Sequence, residues 1–155
     1  MAVKPASSLP GSVLFACNYN RVRSPMAEAL LKRLAGDRIY VDSCGLRLPP
    51  EGSDELMTGV DPFVEAVMAE IGCELSAHHP RIFEDLDVES FDLVISFTPE
   101  AQDKAVRMAR GRAAETEYWP AQDPTVIEGS REARLQAYRD VRDALACRIA
   151  ERFQP

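Results

Sequence analysis

Apolar and polar positions alternate between two rhythms along this chain. Short, nearly continuous apolar runs occur at Ser12–Cys17 ("SVLFAC"), 39–45 ("IYVDSCG"), 91–97 ("FDLVISF") and 116–119 ("TEYW"), the pattern of strands buried on both faces of a parallel sheet. Between them apolar residues recur at spacings of three and four, which predicts amphipathic helices. One stripe runs through Ala27, Leu30, Leu31 and Leu34 and stops at Gly36. A second links Val60, Phe63, Val64, Val67, Met68 and Ile71 and stops at Gly72. A third helix is expected from Thr98 and Pro99 to about Arg110, ended by Gly111, and a last one carries Leu135, Tyr138, Val141, Leu145, Ile149 and Phe153 on one face. Each has start chemistry, with a capping side chain at Ser24, Asp61, Thr98 or Ser130 and a proline just after the first three. The polar, proline-bearing segment 46–58 reads as a long loop.

Strands alternating with helices imply right-handed crossovers, so the fold class is α/β: three layers, with a four-stranded parallel sheet flanked by helices. Order 2-1-3-4 is the simplest doubly wound arrangement, and ligands in such sheets bind at the carboxyl ends of the strands where the order reverses. The loop after Cys17 falls there.

Composition narrows the function. With 155 residues and 46% hydrophobic content, the chain suits a single domain over 12–155 behind a flexible lead-in at 1–11. Its net charge of −7, from 25 acidic and 18 basic side chains, opposes broad attraction to nucleic acid or an anionic membrane and favours a small-molecule or protein partner. No signal-peptide core and no apolar run of about 18 residues is present, so a soluble, cytoplasmic protein is expected, a monomer or weak dimer. Cys17, Cys44, Cys73 and Cys147 are widely scattered, unlike zinc or redox pairs, and are expected to be free thiols. No metal or other cofactor is expected.

The chemistry concentrates in "CNYNRVRS", Cys17 to Ser24. Curling into a helix start, Asn18, Tyr19, Asn20, Arg21, Val22, Arg23 and Ser24 can turn their backbone N–H groups toward one anion, and the helix N-terminus adds positive potential. That field and Arg23 favour the Cys17 thiolate and predict a nucleophile. Arg23 presents paired donors that match a tetrahedral oxyanion, and the Ser24 hydroxyl can donate to the sulfur.

This C-x5-R-S loop at the end of the first strand, together with the distal "DP" at Asp123-Pro124, resembles the low-molecular-weight protein tyrosine phosphatases and their structural cousins, the thioredoxin-coupled arsenate reductases. "VDSCG", "SAHHPR", "FDLVISF" and "DPTVIEGSREARLQAYRDVRDAL" extend the resemblance over nearly the whole chain. It implies a cysteine-dependent phosphatase acting on a phosphorylated protein or small phosphomonoester through a phosphocysteine intermediate. Cys17, Arg23 and Asp123 are then catalytic, Asp123 protonating the leaving oxygen on a loop fixed by Pro124. Asn20 holds the loop's shape, Ser43 supports Asn20, and His78 braces the loop from behind; a plain strand-end serine and a plain loop histidine are the alternatives. Arg81 is expected to form a structural ion pair. Asp61-Pro62 is a rival acid, though it reads better as a helix cap.

Several positions depart from the family. Tyr19 stands where glycine is usual, so either it takes a positive φ or the loop curls differently. Val22 replaces a second loop cysteine, which removes the protective disulfide of relatives. Arg21 puts charge at the expected rim. Thr125 and Val126 lack an aromatic pair, so either Tyr19, Tyr118, Trp119, Leu46 or Leu48 recognises an aromatic substrate or the substrate is not phosphotyrosine. Arsenate reduction is the alternative activity, but the two relay cysteines that normally follow the third strand are absent from "ISFTPEAQDKA". A catalytically weak anion-binding regulatory module is the third reading.

Overall fold

The computed structural model describes residues 9–48, 59–110 and 114–154. Most of the lead-in, most of the 46–58 loop and the helix stop at Gly111 lie outside the described residues. In chain order the elements are β1 (Ser12–Cys17), α1 (Arg23–Ala35), β2 (Tyr40–Gly45), α2 (Pro62–Ala69), β3 (Leu93–Ser96), α3 (Pro99–Ala109), β4 (Glu115–Tyr118) and α4 (Arg131–Arg152). The four strands form one parallel sheet in the order β2-β1-β3-β4. Among the described residues no helix is long and apolar enough to cross a membrane.

Strand alternation divides the core into two layers. Val13, Phe15 and Cys17 of β1 face the side covered by α1, α2 and α4, while Leu14 and Ala16 face α3 and the turns around Phe83 and Val88. Phe15 stacks on Phe97 at 5.8 Å, and Trp119 meets both rings edge-on at 6.4 Å. Phe153, just past α4, reaches the same indole at 6.4 Å and so fastens the last helix to the sheet. Trp119 is therefore core, not an aromatic contact for substrate.

Boundaries differ from the sequence reading for local reasons. The second strand starts at Tyr40, because Gly36–Arg38 forms a 3-10 turn with Gly36 at φ 58. The third is trimmed to Leu93–Ser96, since a 3-10 turn at Val88–Ser90 delivers Phe91 to the core from outside the sheet. The fourth is Glu115–Tyr118, one residue earlier than expected. α2 ends at Ala69, and the chain turns through Gly72 at φ 80. Its end is clamped to α4: Arg139 and then Arg142 donate to Glu70 and hold that exposed carboxyl down at about 2.

Asp61, Thr98 and Ser130 cap their helices as expected, accepting from the N–H of Phe63, Ala101 and Ala133. Ser24 does not. α1 begins at Arg23, Val22 holds the cap position with no side-chain cap bond, and the Ser24 hydroxyl is turned elsewhere.

Truncating Phe153 to alanine should cost about 3–5 kcal/mol, read as a lowered urea midpoint; a change below 1 kcal/mol would contradict its role as the fastener of α4.

Candidate active site

The loop leaving β1 is shaped by what holds its carbonyls. Leu46 N–H donates to the Cys17 and Asn18 oxygens at 3.1 and 2.9 Å, and Arg47 N–H reaches the Asn18 oxygen at 3.1 Å. His78 Nε2 donates to the Asn20 oxygen at 3.0 Å and Asp61 N–H to the Arg21 oxygen at 3.1 Å. In a planar trans peptide the next residue's N–H points opposite to the carbonyl. The amides of Asn18, Tyr19, Arg21 and Val22 therefore face the concave side, beside the N-terminus of α1, a nest of the kind that binds anions.

Asn20 makes the reversal. Its φ is 56, the one positive φ at a non-glycine among the described residues; asparagine tolerates this region better than most side chains. Tyr19, in the usual glycine position, needs no such geometry and is 38% exposed at the loop's mouth. Close packing falls instead on Gly45. A Cβ there would lie 2.8 Å from Asn20 N and 2.9 Å from Asn18 O, so the end of β2 can carry no side chain.

Beneath the loop runs a directed chain of hydrogen bonds. Asn20 Nδ2 donates to Ser24 Oγ and to Ser43 Oγ, both at 2.9 Å. Ser43 in turn donates to Glu28 Oε1 at 2.5 Å, and Lys32 pairs with Oε2 of the same carboxylate. Ser43 sends its proton to the carboxylate, while the Ser24 hydroxyl lies 2.9 Å from Cys17 Sγ and 3.4 Å from the Cys44 oxygen, and can donate to either. Ser43 and His78 both bond to Asn20, one to its side-chain amide and the other to its carbonyl oxygen. Burial, the first cause, pushes the His78 imidazole below its ordinary value, favouring a neutral ring. Arg81 closes the support: its N–H donates to Asn20 Oδ1 at 3.1 Å, and its guanidinium forms the expected ion pair with Asp42 at 3.1 Å.

Arg23 joins the loop to the segment after β4, donating through Nη1 to the Ala121 oxygen at 3.0 Å, while its buried Nε has no partner. Asp123 follows two residues on, half-exposed. Its Oδ1 accepts from Thr125 N–H at 2.9 Å and Thr125 Oγ1 at 2.6 Å. Pro124 is buried beneath it. Asp61, the rival acid, is buried and engaged by Phe63 N–H and by the Tyr138 hydroxyl at 2.9 Å.

Some expectations are corrected. Arg21 is not a charged rim: it is 8% exposed, folded under the chain with Nε on the Gly59 oxygen at 2.9 Å. Thr98 Oγ1 donates to Asn18 Oδ1 at 2.8 Å and ties the loop to the cap of α3. Cys147 is exposed on α4, and Cys73 is half-exposed. Cys44 is buried in the opposite layer from Cys17, and burial raises its thiol well above the ordinary range. Glu28 and Gly45 escaped the sequence reading, and Thr98 was read only as a helix cap; the Glu28-to-Lys32 spacing of four looks like an ordinary surface pair. Among the described residues no group of three or more His, Cys, Asp or Glu side chains is arranged to hold a metal ion.

The family model for low molecular weight phosphotyrosine protein phosphatase matches residues 12–151, and the chain belongs to this family. An arsenate reductase of Halalkalibacterium halodurans is 31% identical over 137 residues, covering 88% of this chain and 91% of that protein. The tyrosine phosphatase amsI of Erwinia amylovora has the same fold, with a TM-score of 0.74 at 20% identity over 99% and 97% of the two chains. The YwlE arginine phosphatase, as a cysteine-to-serine mutant with a phosphorylated active-site serine, aligns at TM-score 0.69 and 25% identity over 92% and 93%.

Two outcomes follow from the loop's supports. Gly45→Ala must displace loop backbone and should destabilise by about 1–3 kcal/mol in urea unfolding. His78 binds its proton less readily folded than unfolded, where the value is about 6.5. Its contribution to stability is therefore full above that value and is lost as pH falls toward the depressed folded value. His78→Gln should flatten that part of the stability profile between about pH 7.5 and 5; identical profiles would contradict a neutral, buried ring.

Proposed function

We propose that the protein hydrolyses phosphomonoesters through a phosphocysteine formed on Cys17. One observation carries the reading: the Ser24 hydroxyl, held in place by Asn20, lies 2.9 Å from Cys17 Sγ, within reach to donate to it, under amides turned inward. A sulfur so placed can attack phosphorus and later leave as a solvated thiolate. In the first step the S–P bond forms and the bond to the ester oxygen breaks. Asp123 delivers its proton to that oxygen while Arg23 and the loop amides hold the phosphoryl oxygens. In the second, water attacks phosphorus, Asp123 takes its proton, and the S–P bond breaks with the electron pair returning to Cys17. The charge is handled by the guanidinium and the amides, so the scheme calls for no metal. Tyr19, Leu48 and Val126, all exposed, are the side chains offered to an aromatic leaving group.

Arsenate reduction is the second reading, favoured by the names of the curated relatives. It needs thiols that carry a disulfide away from the nucleophile, and the positions of the other cysteines disfavour it. Cys44 faces the opposite layer, Cys147 is out on α4, and Cys73 lines a cavity beyond His78 and Glu28.

Wild-type protein under reducing conditions should release p-nitrophenol from p-nitrophenyl phosphate, and Cys17→Ser should lower kcat by roughly 10³-fold or more. Equal rates for the two proteins, or thioredoxin-dependent arsenate turnover without ester hydrolysis, would overturn the assignment. Asp123→Asn should cost about 10²- to 10⁴-fold on phenyl phosphate, whose leaving group needs the proton, and less on the nitrophenyl ester.

A further inference from the structure

The start of α4 breaks a rule that its other half obeys. Cations are unfavourable at a helix N-terminus, yet Arg131 and Arg134 stand in the first turns after the Ser130 cap. Farther along, Arg139, Arg142 and Arg152 are each paired with carboxylates. Arg131 and Arg134 have no ion pair among the described residues. Both guanidinium groups lie over the ring of Phe63, at 5.3 and 4.6 Å from its centroid, and that ring also stacks on Tyr138 at 5.1 Å. Stacking engages a guanidinium's face and leaves its in-plane N–H edge available for a carboxylate.

This pair borders the candidate active site. Phe63 N–H donates to Asp61, and Asp61 N–H donates to the Arg21 oxygen of the loop. On the other flank, Ser130 follows the Pro124–Val126 turn that carries Asp123. The Tyr138 hydroxyl donates to Asp61 Oδ2 at 2.9 Å and is raised mainly by burial, then by that carboxylate. Nearby carboxylates are otherwise occupied: Asp61 by Tyr138 and its cap, Glu132 by Arg139. In a chain of net charge −7, two unpaired cations at the border of an anion nest form a local attractive field.

We propose that Arg131 and Arg134, platformed on Phe63, dock acidic residues that flank the phosphorylated residue of a protein substrate. The proposal rests on the phosphatase reading and assigns that site a substrate class: phosphoproteins with Asp or Glu beside the phosphate. It also moves the selectivity expected of Arg21 onto α4, because Arg21 is buried.

The test compares two phosphotyrosine peptides, one flanked by glutamates and one by lysines, as substrates of wild type and of R131E/R134E. In wild type, kcat/KM should favour the acidic peptide by roughly three- to thirty-fold at low salt, and the preference should shrink at about 0.5 M salt. The double variant should lose or invert it while p-nitrophenyl phosphate turnover stays within about two-fold, an activity check that also shows folding. Binding of both peptides to Cys17→Ser protein, followed by fluorescence anisotropy, reads the docking surface without turnover. Failure to hydrolyse any ester alongside an acidic preference in binding would sink the phosphatase reading and spare the surface. Equal kcat/KM and equal binding for the two peptides, or a preference that survives R131E/R134E, would overturn the surface itself.

Discussion

The left-handed turn at Asn20 is the constraint on which the site depends. With φ at 56, this residue reverses the chain so that its neighbours' amides converge instead of continuing the direction of β1. An uncommon conformation must be held by its surroundings, and here both ends of the side-chain amide and the backbone carbonyl help. Nδ2 serves two hydroxyls, Oδ1 takes the Arg81 N–H, and the carbonyl takes His78. Glycine would adopt the same φ more easily but would supply none of the side-chain bonds. The side chain that maintains the turn also holds the Ser24 hydroxyl 2.9 Å from Cys17 Sγ, so the loop's shape and the sulfur's surroundings share one residue.

That turn is bound to the sheet by register. Cys17 pairs with Gly45 and Ala16 with Cys44, which brings the Cβ-less end of β2 under Asn18, Tyr19 and Asn20. A slip of one residue would put Cys44 against the loop and turn Ser43 away from Asn20, because alternate residues face opposite layers. The packing of Phe15, Phe97 and Trp119 on one side and of Val94, Phe83 and Ala105 on the other fixes the register. Core packing thus reaches the chemistry through strand alignment.

Much of this was legible in the sequence. Apolar runs and helical stripes marked the four strands and four helices, and the sheet order followed from their alternation. C-x5-R-S at a strand end drew attention to Cys17, and Asn20, Ser43 and His78 followed from the family resemblance. What escaped it depends on contacts across the fold. Glu28 has the spacing of a surface pair with Lys32, and nothing local reveals that β2 carries Ser43 to it. Arg21 reads as solvent-directed because a buried guanidinium requires a carbonyl, here of Gly59, supplied 38 residues away. Trp119 reads as a strand-end aromatic, since its burial depends on Phe153 at the far end of α4.

The loop itself is indifferent to the central atom of its anion. Phosphate and arsenate are both tetrahedral oxyanions, and inward amides with one guanidinium fit either. Selection between hydrolysis and reduction must come from what lies beside the sulfur. Arg23 bonds to the Ala121 carbonyl and thereby ties the segment that precedes Asp123 to the loop. Reduction needs a second sulfur in line with an S–As bond, and the nearest strand offers Cys44, whose side chain lies beyond the sheet. A strand's alternation cannot be undone without breaking its ladder, so Cys44 stays in the layer opposite Cys17.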